Sequence, residues 1–511
     1  MDNSVVFSAY QTNVFNAIRN EDCNLIISAV AGSGKTFTIV EACKQLGASA
    51  NDVLFLAFNK SIQNELAIKM NGYANVSTLH AFGLSVLRKV YRTFRVNDWK
   101  YRNYLKENVY TLSNMVTVDT PNNKLYAFIC NTIKLFNLCR VNLIQTDEKD
   151  KIEAVVEEHN IPLLFDEINV VSLLLDDCYK FDKHNKEIDF VDMIVLPLAE
   201  KRYIPTYKYV FIDECQDLNN AQRELMLLAA RNGRFIAVGD RKQAINGFCG
   251  ADCNSFDKIA AIPNTKELPL SVNYRCGVNM INLAKEIVPQ IEAHGNAIEG
   301  EINHIDTLSV STFKPNDMIL CRSSAPLVGL CFKMLEKGIT AIIKGKDIAD
   351  MLISTIENSG AKSIDELLEY LQEYRNKTIK AICTNCKCEE NDAKEKPKYI
   401  KVDDNCKCIE NLCTSAKSVK ELVLTLKAMF SEERKKGAIM LSTIHKSKGL
   451  EADRVLILTP NKLPLKWKDQ REWQLEQELN LKYVALTRAK KELIFVDLDD
   501  KALLETEITN D

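Results

Sequence analysis

Eight residues, Ala29–Thr36, place two glycines, a lysine and a threonine in one short loop. The pattern approaches G-x-x-x-x-G-K-[ST], with Ala29 standing where the first glycine would be. Gly32 and Gly34 let backbone N–H groups face phosphate oxygens, and a following helix N-terminus adds positive potential there. Ala31, Gly32, Ser33 and Gly34 are the expected cradle. Lys35 would reach the β- and γ-phosphates, and Thr36 would ligate Mg²⁺. A chance glycine turn is the plain alternative; strand, loop and helix in register favour phosphate binding.

A second candidate is the apolar run Tyr209–Ile212, which ends in Asp213 and Glu214. Asp213 can hold Mg²⁺ and Glu214 can polarise an attacking water. Adjacent acids also end ordinary strands, so the upstream loop is what gives this pair its meaning. The gap between Lys35 and Asp213 is too long for one βαβ unit and calls for an inserted domain.

Six cysteines cluster as Cys383-x-x-Cys386-x-Cys388, then Cys406-x-Cys408 and Cys413. Paired thiolates separated by a loop can close a tetrahedral Zn²⁺ site. Cys383, Cys386, Cys406 and one of Cys408 or Cys413 are the expected ligands. Free thiols and an iron–sulfur cluster are the other readings. The charged stretch Glu389–Asn405 reads as an exposed finger, and zinc would fold an insertion lacking its own core. Elsewhere, Arg88, Lys89, Arg92, Arg95, Lys100, Arg102 and Lys106 interleave with Tyr91, Phe94, Trp99, Tyr101 and Tyr104. Charge plus stacking surfaces suits a nucleic-acid strand or duplex, although single aromatics more often pack in a core.

The elements that must position these residues can be read from the hydrophobic pattern. Buried strands are expected at Leu25–Val30, Val53–Phe58, Tyr209–Ile212, Phe235–Val238, Met318–Cys321, Val455–Leu458 and Leu493–Val496, alternating with helical segments. The fold class is therefore α/β, with two parallel-sheet lobes, each interrupted by a mostly helical insertion. The expected divisions are 1–84 with 208–272, an insertion at 85–207, 273–326 with 437–499, an insertion with the cysteines at 327–436, and a loose tail at 500–511. The chain has 511 residues, 46% hydrophobic and 26% charged, with a formal net charge of −3. That composition excludes collagen-like, wholly disordered and polybasic proteins, so nucleic-acid contact must come from local patches. No signal peptide or membrane span is expected, and 17 cysteines, mostly scattered, suggest a reducing, cytoplasmic or nucleoid-associated setting.

Taken in order, these motifs resemble the UvrD/Rep-type group of superfamily 1 helicases. Phe7–Gln11 is similar to its adenine-reading segment, which implies Gln11 on the base. Leu56–Lys60, with Phe58 and Asn59, and Ser77–Phe82, with His80, resemble its early single-strand contacts. Asp213–Asp217 matches D-E-x-Q-D, and Val238–Gln243 matches V-G-D-x-x-Q, which implies that Gln243 senses the γ-phosphate. Asn273–Arg275 resembles N-Y-R, implying Tyr274 stacked on adenine and Arg275 as a finger on the γ-phosphate. Ile319–Ser323 is similar to the opening strand of the second lobe. Thr443–Glu451 is close to T-I-H-x-x-K-G-L-E, implying strand contacts from Thr443 and His445 and a ribose contact from Glu451. Tyr483–Ala489 is similar to Y-V-A-x-T-R-A, which makes Arg488 a second finger.

The resemblance implies two RecA-like lobes with ATP and Mg²⁺ between them. It implies an ATP-dependent DNA helicase moving 3′→5′ on single-stranded DNA and at single-strand/duplex junctions, monomeric in isolation, with accessory replication or repair proteins as further partners and no membrane. The chain departs at Asn246–Cys249, where the family often has an aromatic residue and two arginines; Phe248 remains to stack on a base. A translocase that displaces proteins without unwinding, and a non-catalytic nucleic-acid-binding module, are the alternatives. The compact insertions argue against a fused nuclease.

Overall fold

The computed structural model describes residues 6–91, 93–159, 161–178, 187–245, 254–386, 388–414, 416–430, 437–468, 470–499 and 508. It divides into two compact units, Met1–Ala29 with Gly34–Ser271, and Val30–Ser33 with Val272–Asp511. No helix among the described residues is long and apolar enough to cross a membrane.

The first unit is built on a parallel sheet of β1 (Asn24–Ala29), β2 (Val53–Ala57), β3 (Asn75–Thr78), β4 (Tyr209–Ile212), β5 (Arg234–Gly239) and β6 (Thr265–Leu270), in spatial order β3-β2-β4-β5-β1-β6. Side chains alternate across the sheet with a period of two. Leu54, Leu56, Val210, Ile212, Phe235 and Ala237 enter one core, and Val53, Phe55, Phe211, Ile236 and Val238 the other. Both faces are covered, as a parallel sheet requires. Helices Ala9–Asn20 and Lys35–Gln45 cover the second face through Val14, Ile18, Ile39 and Val40. Helices Leu79–Val90 and Asn220–Ala230 cover the first through Phe82, Val86, Leu225 and Met226.

Helix Leu79–Val90 runs through the expected boundary at 84/85. The helices that follow, including Lys100–Leu112, Asn122–Val141 and Glu167–Cys178, have their own core around Leu105, Phe128, Phe136 and Leu174. At its edge the fully buried Arg140 donates from Nη1 to Asp189 (3.1 Å) and Asp192 (2.8 Å), and Lys100 reaches Asp192 at 3.0 Å. The basic run is thus partly spent on structure: Lys100 pairs with Asp192 and Arg95 with Glu187. Tyr101 is buried, Trp99 and Tyr104 are exposed, and Arg92 lies outside the described residues.

The second unit repeats the scheme with β7 (Glu301–Ile305), β8 (Met318–Cys321), β9 (Ala341–Lys344), β10 (Ile439–Thr443), β11 (Ala452–Leu458) and β12 (Ala489–Val496), all parallel, in order β7-β12-β11-β8-β10-β9. Two expectations need correction here. Strand β9 belongs to this sheet, so an insertion starting at 327 begins too early. The helices Lys346–Ser359, Ile364–Cys386, Pro397–Cys413 and Val419–Met429 also do not lack a core. Their Leu352, Leu371, Ile409 and Leu426 join Ile319, Leu441 and Leu456 of the sheet in one cluster. Ile508 is buried in the same cluster; the rest of the expected tail from 500 lies outside the described residues.

The zinc expectation is corrected as well. The segment read as a charged finger is helical, and Cys406, Cys408 and Cys413 on Pro397–Cys413 are buried among apolar side chains. There a thiol packs as a small hydrophobe. Burial pushes the Cys406 thiol up to about 11, away from the thiolate that a metal needs. Cys383 packs instead in a separate small cluster with Cys388, Ile379 and Ala393. Among the described residues no group of three or more His, Cys, Asp or Glu side chains is placed to hold a metal; the side chain of Cys386 lies outside them.

Candidate active site

In parallel α/β sheets, ligands bind beyond the carboxyl ends of the strands. In the first unit β1 ends at the phosphate-type loop, β4 at Asp213–Glu214, and β5 at Gly239–Asp240. The sheet order sets β4, β5 and β1 side by side, so the three chain ends meet. Gly34 is the N-cap of helix Lys35–Gln45 at φ 75°, a left-handed conformation that favours glycine.

Lys35 Nζ lies 3.0 Å from the Glu214 carboxylate, and Thr36 Oγ1 donates to Asp213 Oδ2 at 2.5 Å. Glu214 itself has φ 55°, ψ 43°, a backbone strain of the kind that functional positions tolerate. Burial opposes the Lys35 charge, but Glu214, Asp240 and Asp213 outweigh it and hold the ammonium pKa above its usual value. Burial, reinforced by the neighbouring Glu214, pushes Asp213 up to about 6; burial does the same to Asp240. Buried hard oxygen donors, short of positive charge, match what Mg²⁺ prefers.

Two residues without an assigned part in the sequence reading complete this arrangement. Gln216 accepts from the Asp240 N–H (3.0 Å) and donates to Glu214 (2.6 Å), tying β4 to β5. A Cβ at Gly239 would come within 2.5 Å of Gln216 Oε1, so this contact requires glycine. Asp240 accepts from Gln243 Nε2 at 2.8 Å, which places the expected γ-phosphate sensor beside the acids. Both lay in quoted motifs, D-E-x-Q-D and V-G-D-x-x-Q. Gln11 is buried: it shares a capping box with Ser8, and its Nε2 donates to Thr38 at 3.2 Å.

The turn Val30–Ser33 groups with the second unit. Its Ala31 N–H donates to Tyr483 Oη (2.7 Å), Asn273 Nδ2 donates to Ala31 O (2.7 Å), and the Tyr274 N–H donates to Gly32 O (2.9 Å). Within it, Ser33 Oγ donates to Val30 O. At the amino edge of the second sheet, Arg275 Nε meets Glu451 at 2.5 Å and its Nη1 donates to Thr487 O at 3.2 Å. Glu451 also pairs with Lys490 at 2.6 Å; burial works against its charge, but Lys490 and Arg275 hold the carboxyl below its usual range. Arg488 is buried and donates to the Val484 and Leu450 carbonyls. Tyr274 remains half open, its ring 4.8 Å from that of His294.

The expected strand contacts fall at other strand ends. Exposed Phe58 follows β2, while Asn59 caps the next helix by accepting from the Ile62 N–H. His80, whose pKa burial lowers, turns towards Phe190, an exposed aromatic that sequence reading passed over. Thr443 is buried where β10 ends. Next to it, His445 is kept neutral: burial first, then Arg322 and Lys446, drop its pKa to about 3. Phe248 lies outside the described residues.

Comparison with known proteins shows the family. The UvrD/REP helicase N-terminal domain model matches residues 10–261, and the UvrD-like helicase C-terminal domain model matches 352–498. The chain belongs to the UvrD/Rep family of helicases. It is 26% identical over 301 residues to the ATP-dependent DNA helicase Rep of Buchnera aphidicola subsp. Acyrthosiphon pisum, covering 53% of this chain and 44% of that protein. It is 24% identical over 303 residues to the ATP-dependent DNA helicase PcrA of Leuconostoc citreum, covering 53% and 38%. The matched region thus spans less than half the length of these relatives.

Proposed function

We propose that the protein is an ATP-dependent DNA helicase that translocates 3′→5′ on single-stranded DNA and unwinds duplex at a junction. The observation that carries this reading is the convergence of Lys35, Thr36, Asp213, Glu214, Asp240 and Gln243 at the carboxyl edge of one sheet. Family membership and the names of the relatives support it.

Hydrolysis follows from the residues. Triphosphate oxygens compete with Glu214 for Lys35. As Lys35 turns to the phosphates, Glu214 is released to accept a proton from the attacking water. Thr36 and Asp213 would hold Mg²⁺, which when bound supplies positive charge to the β- and γ-phosphate oxygens. Gln243 orients the γ-phosphate side, and Arg275 and Arg488 are the cations proposed to meet charge developing in the transition state. Arg275 must then exchange Glu451 for phosphate, which frees Glu451 for the ribose. Gln11 and Tyr274 take the adenine. Phe58, Asn59, His80, Thr443 and His445 are assigned to the strand, as is Phe248, which lies outside the described residues.

The test is strand displacement on 3′-tailed and 5′-tailed duplexes, with wild type and Lys35→Ala. Displacement only by wild type, on 3′ tails, supports the proposal; equal displacement by both proteins overturns it. DNA-stimulated ATP hydrolysis without displacement would instead favour a translocase that clears proteins from the strand.

A further inference from the structure

Tyr274 stands on the loop after the two-residue strand Val272–Asn273 and is 41% exposed. Its ring packs against that of His294 in a tilted pair, with centroids 4.8 Å apart and planes inclined at 41°.

His294 is in turn fixed by its backbone and its ring. Val272–Asn273 pairs in parallel with Glu292–Ala293, and the next N–H, that of His294, donates to Asn273 O at 3.1 Å. The Asn296 N–H donates to His294 Nδ1 at 3.3 Å, so a neutral ring carries its proton on Nε2. The tyrosine and its partner histidine thus hang from one short ladder, and neighbouring bonds brace the ladder: Val278 N–H to Ile298 O and Asn279 N–H to Glu299 O.

We propose that His294 is a positioning residue for purine recognition, holding Tyr274 as a flat, pre-ordered platform for the base of the nucleoside triphosphate. The proposal rests on the reading that Tyr274 stacks on adenine. A ring already packed against a neighbour loses less freedom when a base covers it, and aromatic pairs add to binding beyond buried area. His294 touches neither phosphate nor reacting atoms, so its contribution belongs to nucleotide affinity and not to the chemical step.

The experiment measures DNA-stimulated phosphate release against ATP concentration for wild type, His294→Ala, His294→Phe and Tyr274→Ala. Alongside it, the inhibition constant of inorganic tripolyphosphate, a probe without a base, is measured. His294→Ala should raise KM for ATP about two- to tenfold, the range a lost aromatic pair supports, with kcat and the tripolyphosphate constant unchanged. His294→Phe should restore KM. If Tyr274→Ala raises KM but His294→Ala does not, the proposal fails and the stacking reading stands. If Tyr274→Ala leaves KM unchanged, the stacking reading itself fails. Weakening of ATP and tripolyphosphate together in His294→Ala would mark a merely structural role and also overturn the proposal. Should His294→Ala not fold, His294→Gln carries the same comparison.

Discussion

Lys35 Nζ sits 3.0 Å from each carboxylate oxygen of Glu214, equally shared between them. The lysine and the carboxylate that the proposed mechanism assigns to phosphate and to water therefore hold each other. On that proposal, a bound triphosphate would separate them.

Removing the lysine tests that relationship from both sides. Lys35→Ala should lower DNA-stimulated ATP hydrolysis by at least ~100-fold, since phosphoryl transfer depends on positioned charge. It should also leave Glu214, Asp213 and Asp240 short of their compensating cation, lowering the thermal midpoint of the nucleotide-free protein. Phosphate release and a melting curve on the same preparation check both.

Asp213→Asn should separate activity from stability. Burial and Glu214 raise the Asp213 pKa from 3.8 to about 6, so the folded protein holds this proton more tightly than the unfolded chain. The carboxyl then favours folding at low pH, and that advantage is lost as pH rises from about 4 through 6. The amide keeps the Glu214 N–H and Thr36 bonds in reach without the charge. At pH 7.5 the nucleotide-free variant should be more stable by about 1–3 kcal/mol, with the difference fading towards pH 4. Its hydrolysis should be abolished. Urea unfolding at several pH values decides the matter; an Asn variant less stable at neutral pH would contradict the argument.

Arg140→Ala should cost about 3–5 kcal/mol, the usual penalty for breaking a buried ion network from one side. Asp189 and Asp192 would be left buried, with Lys100 as the remaining cation bonded to Asp192 among the described residues. Denaturant unfolding measures the loss.

Metal content tests the reassigned cysteines. Purified protein should carry no stoichiometric zinc, and EDTA should leave its melting midpoint unmoved. Cys408→Ser, which places a hydroxyl among Ile409, Leu412 and Leu426, should destabilise by about 1–3 kcal/mol in either buffer. A midpoint that falls on chelation would restore the metal reading.

The centre of each sheet was legible because β2, β4, β8, Phe235–Val238 of β5 and Val455–Leu458 of β11 are continuous, largely buried apolar runs. The flanking strands β3, β6 and β7 were not: Asn75–Thr78, Thr265–Leu270 and Glu301–Ile305 are half exposed and mix polar residues without clean alternation. The phosphate-loop lysine, the paired acids and the arginines could be named from local motifs. The roles of Gln216 and Asp240 could not, because each depends on β4 lying next to β5, a long-range pairing that no local spacing encodes. The cysteines misled for the opposite reason. Their spacing imitates a ligand set, yet the helix Pro397–Cys413 turns Cys406, Cys408 and Cys413 inward with Ile409 and Leu412.

The second sheet carries its two kinds of expected contact at opposite rims. Thr443 lies at the end of β10, whereas Glu451 and Arg488 precede β11 and β12, with β8 pairing both β10 and β11. A strand of seven residues such as Ala452–Leu458 is roughly 23 Å long, and a hydrogen-bonded parallel plank of six strands hardly bends. If that plank moves as one body, a displacement at the Glu451–Arg488 rim would reach the Thr443 rim as tilt, in the manner of a seesaw.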